Sequence, residues 1–232
     1  MLRVDMGNEA AIDTPVDTVE AVLEETNAPE RIEGLKQNAR QRREREDMLW
    51  FELILSMATL QGSSGSTLAT DGEYCSQVEY ETLREMDDSE RIDHLEGVLL
   101  DAGVNMHLRK ADFINAQLKR IESLGGLDAA QQAFGSQEEK EAEMDFLQKF
   151  KCIGDKYARN IGMDIFHPDL RDTVALDARM NSISDKLGVK FGSYGGHEQF
   201  YVDVAERLGM TAWELDRLLY RYTDDVTAHI AE

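Results

Sequence analysis

Apolar residues recur along this chain at spacings of three and four, the signature of amphipathic helices, and nowhere alternate as strand residues do. The pattern predicts helices over 16–25, 29–47, 48–60, 76–86, 89–102, 106–123, 127–134, 137–149, 155–166, 178–187, 197–208 and 211–228, with residues 1–16 loosely ordered. Met48 to Leu60 (MLWFELILSMATL) is apolar on most sides and reads as a buried helix. The boundary signals agree with these spans. Ser89 reads as an N-cap, Gly103 falls where a C-terminal glycine belongs, Gly125-Gly126 breaks the chain, and His167-Pro168 stops a helix. Thr211 and Glu214 form a capping box that opens the last helix. Between the buried helix and the next, Gln61 to Ser66 is a polar, flexible loop, and Val189 to Gly196 is glycine-rich. The fold class is therefore all-α, a bundle of short helices.

Composition narrows the setting. With 232 residues and 42% apolar content, the chain can build one sizeable domain or two small lobes sharing a cleft. It lacks a run of about 18 apolar residues, so no membrane span is expected. Met1 to Pro15 carries acids and no apolar core segment, so it does not read as a secretory signal, and the protein is expected in the cytoplasm. Two cysteines, Cys75 and Cys152, imply a reduced compartment; they cannot supply a four-cysteine iron–sulfur site or a zinc ribbon. The five histidines show no ligand spacing, so no metal is expected.

The net charge of −21 argues against nucleic acid, because phosphate contacts dominate that affinity. The acids, however, are spread rather than clustered, and arginine outnumbers lysine 16 to 9. Such a balance resembles that of proteins from salt-adapted organisms, where screening shortens electrostatic reach to about 3 Å at 1 M salt. Local charge also departs from the whole: from Lys149 to Lys190 eight basic residues face six acids, a balance of +2. The helix over 29–47 is charged nearly all round; Arg42, Arg43 and Arg45 fit a solvated face, or else an arm that contacts phosphate.

The chemistry concentrates in Phe146 to Met180, FLQKFKCIGDKYARNIGMDIFHPDLRDTVALDARM. Here a turn, Phe150-Lys151-Cys152-Ile153-Gly154-Asp155-Lys156-Tyr157-Ala158, enters a helix, and Leu176-Asp177-Ala178-Arg179 follows, with Asp177 21 residues after Lys156. This segment resembles the helix-hairpin-helix glycosylase superfamily of endonuclease III and the 8-oxoguanine glycosylases, whose pattern is L-P-G-V-G-x-K-x-A followed by V-D-x-H/R. Upstream, Leu95 to Arg120 is similar to the family's glycine turn and R/N-K-A helix, and Ile54 to Gln61 to the end of its first long helix. The match spans roughly residues 48–225. Two positions depart from it: Lys151 stands at the family's proline and Cys152 at its first hairpin glycine, where a side chain is expected to be strained.

The resemblance implies a two-lobed fold with the active-site cleft between the lobes. An N-terminal helical arm, 1–47, would precede a glycosylase domain, 48–232. One lobe would hold 67–170 with the hairpin at 150–158; the other would combine 48–66, 171–232 and the arm. It further implies excision of a damaged base, with oxidised guanine the leading candidate, from duplex DNA by base flipping. An uncharged lysine amine can displace a base from C1′ and form a Schiff base, which gives abasic-site lyase activity; partial burial would lower the pKa of Lys156 toward that role. Asp177 would stabilise cationic sugar character and move protons, and it can equally cap the next helix, a role that needs no catalysis. Gly154 would allow a tight bend, with hairpin N–H groups, Lys149, Lys151, Cys152 and Arg159 receiving a phosphate. Gln61 would fill the gap left by the flipped base, or is a plain loop residue. Phe146, Tyr157, Phe200 and Tyr201 would pack in the core or stack on a base. No cofactor is implied, although a monovalent cation at the hairpin stays open, and the protein would act as a monomer.

Two rival readings use the same residues. One is a catalytically inactive helix-hairpin-helix protein that only binds DNA or a partner, which the Cys152 departure and the acidic surface favour. The other is an acidic helical interaction protein, against which the +2 segment stands.

Overall fold

The computed structural model describes residues 8–62, 66–137 and 139–230, and among these there is no strand. The helices are α1 (Asn8–Glu25), α2 (Ala28–Arg43), α3 (Met48–Thr59), α4 (Ser66–Thr70), α5 (Gly72–Gln77), α6 (Tyr80–Arg84), α7 (Asp88–Asp101), α8 (His107–Ser123), α9 (Leu127–Gly135), α10 (Lys140–Gln148), α11 (Asp155–Asp164), α12 (Ala178–Lys186), α13 (Tyr194–Arg207), α14 (Ala212–Arg221) and α15 (Thr223–His229). The all-α reading holds. Contacts divide the chain into two compact units, residues 42–164 and the remainder.

Several local expectations are corrected. Residues 8–16 are helical despite Pro15, because α1 buries Val19 and Val22 in its unit. The cap of α7 is Asp87, one half of a complete capping box with Glu90, rather than Ser89. The predicted helix over 76–86 is two short ones, α5 and α6, and the last helix breaks at Tyr222. Helix α13 begins at Tyr194 rather than at 197, and Ser193 caps it by accepting from the Gly196 N–H. Of the predicted loop at 61–66, residues 63–65 lie outside the described ones.

In the unit of residues 42–164, α3 is the central element. Leu49, Trp50, Leu53, Ile54, Met57 and Ala58 are all buried, as its apolar sequence requires. Trp50 satisfies its indole N–H on the Val78 carbonyl at 2.8 Å and meets Tyr80 edge-on. Helix α3 packs against α4, α8, α9 and α11. Residues 48–62 therefore belong with the hairpin rather than with the chain termini: a helix apolar on most sides needs several partners, and these supply them. Gly103, at φ +71, ends α7 as expected, with Val104 donating back to the Leu99 carbonyl at 2.8 Å.

In the other unit, α1 packs on α13 and α15, and α12 on α14 and α15. Its core includes Ile183, Tyr201, Val204, Leu215, Leu219 and Val226, with Phe166 edge-on to Trp213. The Thr211–Glu214 capping box forms as the sequence predicts. Lys36 reaches the Glu214 carboxylate at 2.7 Å.

Candidate active site

The hairpin is built from α10, a turn and α11. Phe150 and Ile153 are buried and anchor the turn from below, while the Ile153 N–H closes it on the Phe150 carbonyl at 3.2 Å. Gln117 of α8 donates to the Lys151 carbonyl at 2.9 Å. The left-handed residue of this turn is Cys152, at φ +63, where a Cβ is strained. The strain expected from Cys152 is therefore present. The expectation for Gly154 is corrected. Its φ is not left-handed, and a Cβ there would meet nothing within 4 Å, so Cys152 makes the bend. Gly154 leaves open space beside the first turn of α11, whose bonding begins with the Ala158 N–H on the Gly154 carbonyl at 2.9 Å.

Lys156 lies in that first turn, half-buried, with Nζ 5.1 Å from the Tyr157 ring centroid. Lys149 and Lys151 are exposed, and Lys151 Nζ lies 5.9 Å from the centre of the Phe113 ring, which Arg109 also overlies at 5.4 Å. Arg159 folds back along α11 and donates to the Asp155 carbonyl at 3.3 Å. Asp155 itself accepts from Gln148 at 2.9 Å, which holds one carboxylate oxygen at the helix start.

Gln61 belongs to the same unit. It is exposed and left-handed, φ +59, in a single 3-10 turn at the end of α3. Its carbonyl accepts from Asn105 at 3.4 Å, and its backbone lies near the Tyr157 hydroxyl. Burial pushes the Tyr157 phenol up from 10, and the nearby Gln61 backbone partly opposes that. The structure thus brings Gln61 beside the residue that follows Lys156. Phe146, Phe200 and Tyr201 are buried core residues, whereas Tyr157 is only half-buried.

Asp177 belongs to the other unit, where it caps α12: one carboxylate oxygen accepts from the Arg179 N–H at 2.9 Å and the Met180 N–H at 3.1 Å. Its second oxygen lies 3.8 Å from the Arg179 guanidinium, which stacks over Tyr220 at 4.1 Å. The irregular segment leading to Asp177 is fastened by side chains that sequence reading missed. Thr173 donates to Glu198, the Ala175 N–H donates to Asp216 at 3.0 Å, and the Tyr194 hydroxyl accepts from the Leu176 N–H at 3.1 Å. Tyr194 also lines a groove of about 620 Å³ beside α12, with Ser184 and His197.

The sequence matches no family model and no curated protein. The fold does match solved structures. The 8-oxoguanine DNA glycosylase of Thermotoga maritima is similar at a TM-score of 0.67 and 20% identity, covering 91% of this chain and 96% of that one. The Methanocaldococcus jannaschii 8-oxoguanine DNA glycosylase is similar at a TM-score of 0.65 and 16% identity, with 90% and 92% covered. Its complex with a 15-mer DNA containing 8-oxoguanine gives 0.64 and 15%, with 89% and 95% covered. This chain has the all-α fold of those 8-oxoguanine DNA glycosylases.

Proposed function

We propose that this chain is a DNA glycosylase with abasic-site lyase activity, acting on duplex DNA that carries a damaged base, with oxidised guanine the leading candidate. The observation that carries the reading is Lys156, half-buried in the first turn of α11, directly after a hairpin turn, in a chain with this fold. In this reading the lesion is flipped out of the stack. The lone pair of the Lys156 amine attacks C1′, the N-glycosidic bond breaks, and its electron pair leaves with the base, which takes up a proton. Loss of a proton from nitrogen and opening of the sugar give a Schiff base; removal of a C2′ proton then expels the 3′ phosphate. Asp177 is the partner carboxylate that offsets cationic character on the sugar and carries protons.

The DNA backbone would lie on the hairpin, with the N–H groups around Cys152 and Gly154 and the exposed Lys149 and Lys151 facing a phosphate. Arg159 would act at closer range to α11. The carbonyls of Phe150, Lys151 and Gly154 each accept a hydrogen bond within the protein, and no step here runs through a cation. Gln61 would occupy the gap in the helix. The protein would work as a monomer in the cytoplasm, where its two free cysteines stay reduced.

A second reading, a DNA-binding protein without catalysis, is favoured by one observation: Cys152 stands left-handed in the hairpin turn, where the resemblance expects a glycine. Borohydride trapping on duplex DNA with an abasic site or 8-oxoguanine separates the two. A covalent product that disappears in Lys156→Gln supports the lyase; binding with no product at any salt concentration overturns it.

A further inference from the structure

Lys110 is fully buried, an uncommon position for a lysine. Its Nζ donates to the Ala58 carbonyl at 3.3 Å, the Leu60 carbonyl at 3.0 Å and Asn105 Oδ1 at 2.9 Å. An ammonium has three donors, and each has an acceptor here. Two of those acceptors are carbonyls at the C-terminal end of α3, where orphan groups and the helix dipole favour a cation. The third fixes Asn105, whose amide in turn donates to the Gln61 carbonyl. Two left-handed residues, Gln61 at φ +59 and Met106 at φ +56, each directly follow one of these acceptor residues, Leu60 and Asn105. Neither is glycine, so each conformation has to be held by its surroundings.

We infer that Lys110 is a positioning residue for Gln61: the buried ammonium ties the end of α3 to the turn before α8 and so holds Gln61 where it enters the DNA helix. The inference rests on the gap-filling role given to Gln61 above. Asn105 is the link that transmits the restraint. The cation acts through the turn and touches no DNA.

The test is a binding measurement that needs no catalysis. A duplex carries an abasic-site analogue opposite 2-aminopurine, whose fluorescence reports the side chain entering the gap. Wild-type protein, Gln61→Ala, exposed-site Asn105→Ala, Lys110→Met and Lys110→Arg are each saturated with this duplex, and thermal unfolding is recorded in parallel. Asn105→Ala and Lys110→Met are expected to lose at least half of the wild-type fluorescence change at saturation, as Gln61→Ala does, with Lys110→Arg recovering part of it. A full fluorescence change in Asn105→Ala, or in folded Lys110→Met, overturns the inference. So does a wild-type complex with no fluorescence change. Because trapping at Lys156 is read separately, a lyase failure leaves this outcome independently decided.

Discussion

Gln117 donates a 2.9 Å hydrogen bond to the carbonyl of Lys151, so the residue just before the left-handed Cys152 is pinned to α8. The turn keeps its shape although a glycine is missing, because buried Phe150 and Ile153 hold it on either side.

Cys152→Gly removes a Cβ from a left-handed backbone, which relieves roughly 1–2 kcal/mol of strain, less part of glycine's extra chain entropy. The variant is expected to melt a few degrees higher in a chain of this size, since about 1 kcal/mol shifts a midpoint by about 2–4 °C. Thermal unfolding of the two proteins checks this; a lower midpoint for the glycine variant would show that the thiol's packing outweighs the strain.

Asp177 has two separable roles, capping α12 and serving as the proposed carboxylate. An asparagine at this position would keep a cap oxygen, so Asp177→Asn is expected to hold stability within about 0.5 kcal/mol while excision falls by on the order of 100-fold or more. Asp177→Ala should lose the same activity and about 1 kcal/mol of stability as well. Equal activity in Asp177→Asn and the native protein would leave Asp177 as a cap alone.

His197 accepts or donates a 2.7 Å bond with the Ser184 hydroxyl, and stacks on Phe191 at 4.3 Å. Burial pushes its imidazole below 6.5. Below that value the unfolded chain binds a proton that the folded chain resists. The contribution of neutral His197 is therefore complete above pH 6.5 and is lost as pH falls through the lower folded value. The melting temperature should drop between pH 7.5 and pH 5, with a shallower drop in His197→Gln; equal slopes in both proteins count against this account.

The charge of −21 makes self-repulsion the dominant surface term in dilute buffer. Raising potassium chloride from 0.1 M to 2 M should raise the melting temperature, and DNA binding should hold over part of that range. A steady loss of both with salt would remove the salt-adapted reading.

Much of this protein is written in local sequence. The periodicity of α3, the Thr211–Glu214 box, the Gly103 stop and the strained Cys152 depend on residues within a few positions of one another, so spacing alone reveals them. Asp87 and Ser89 compete as caps within one polar stretch, and the choice turns on a reciprocal bond from Glu90 that the residue types do not distinguish. Tertiary structure decided what distance in sequence conceals. Lys110 reads as one more cation of an amphipathic helix, although it shares a face with Ile114, Gln117, Leu118 and Ile121, all buried; its acceptors at Ala58 and Leu60 lie about fifty residues earlier. Tyr194 and Asp216 likewise hold the segment before Asp177 through bonds to backbone 18 and 41 residues away. Sequence by itself determined most of the helices and the residues proposed for the chemistry, because those follow from side-chain type and local spacing. Only the folded chain decided which polar groups hold them in place, because a buried polar group takes whichever partner the packing brings within hydrogen-bond reach.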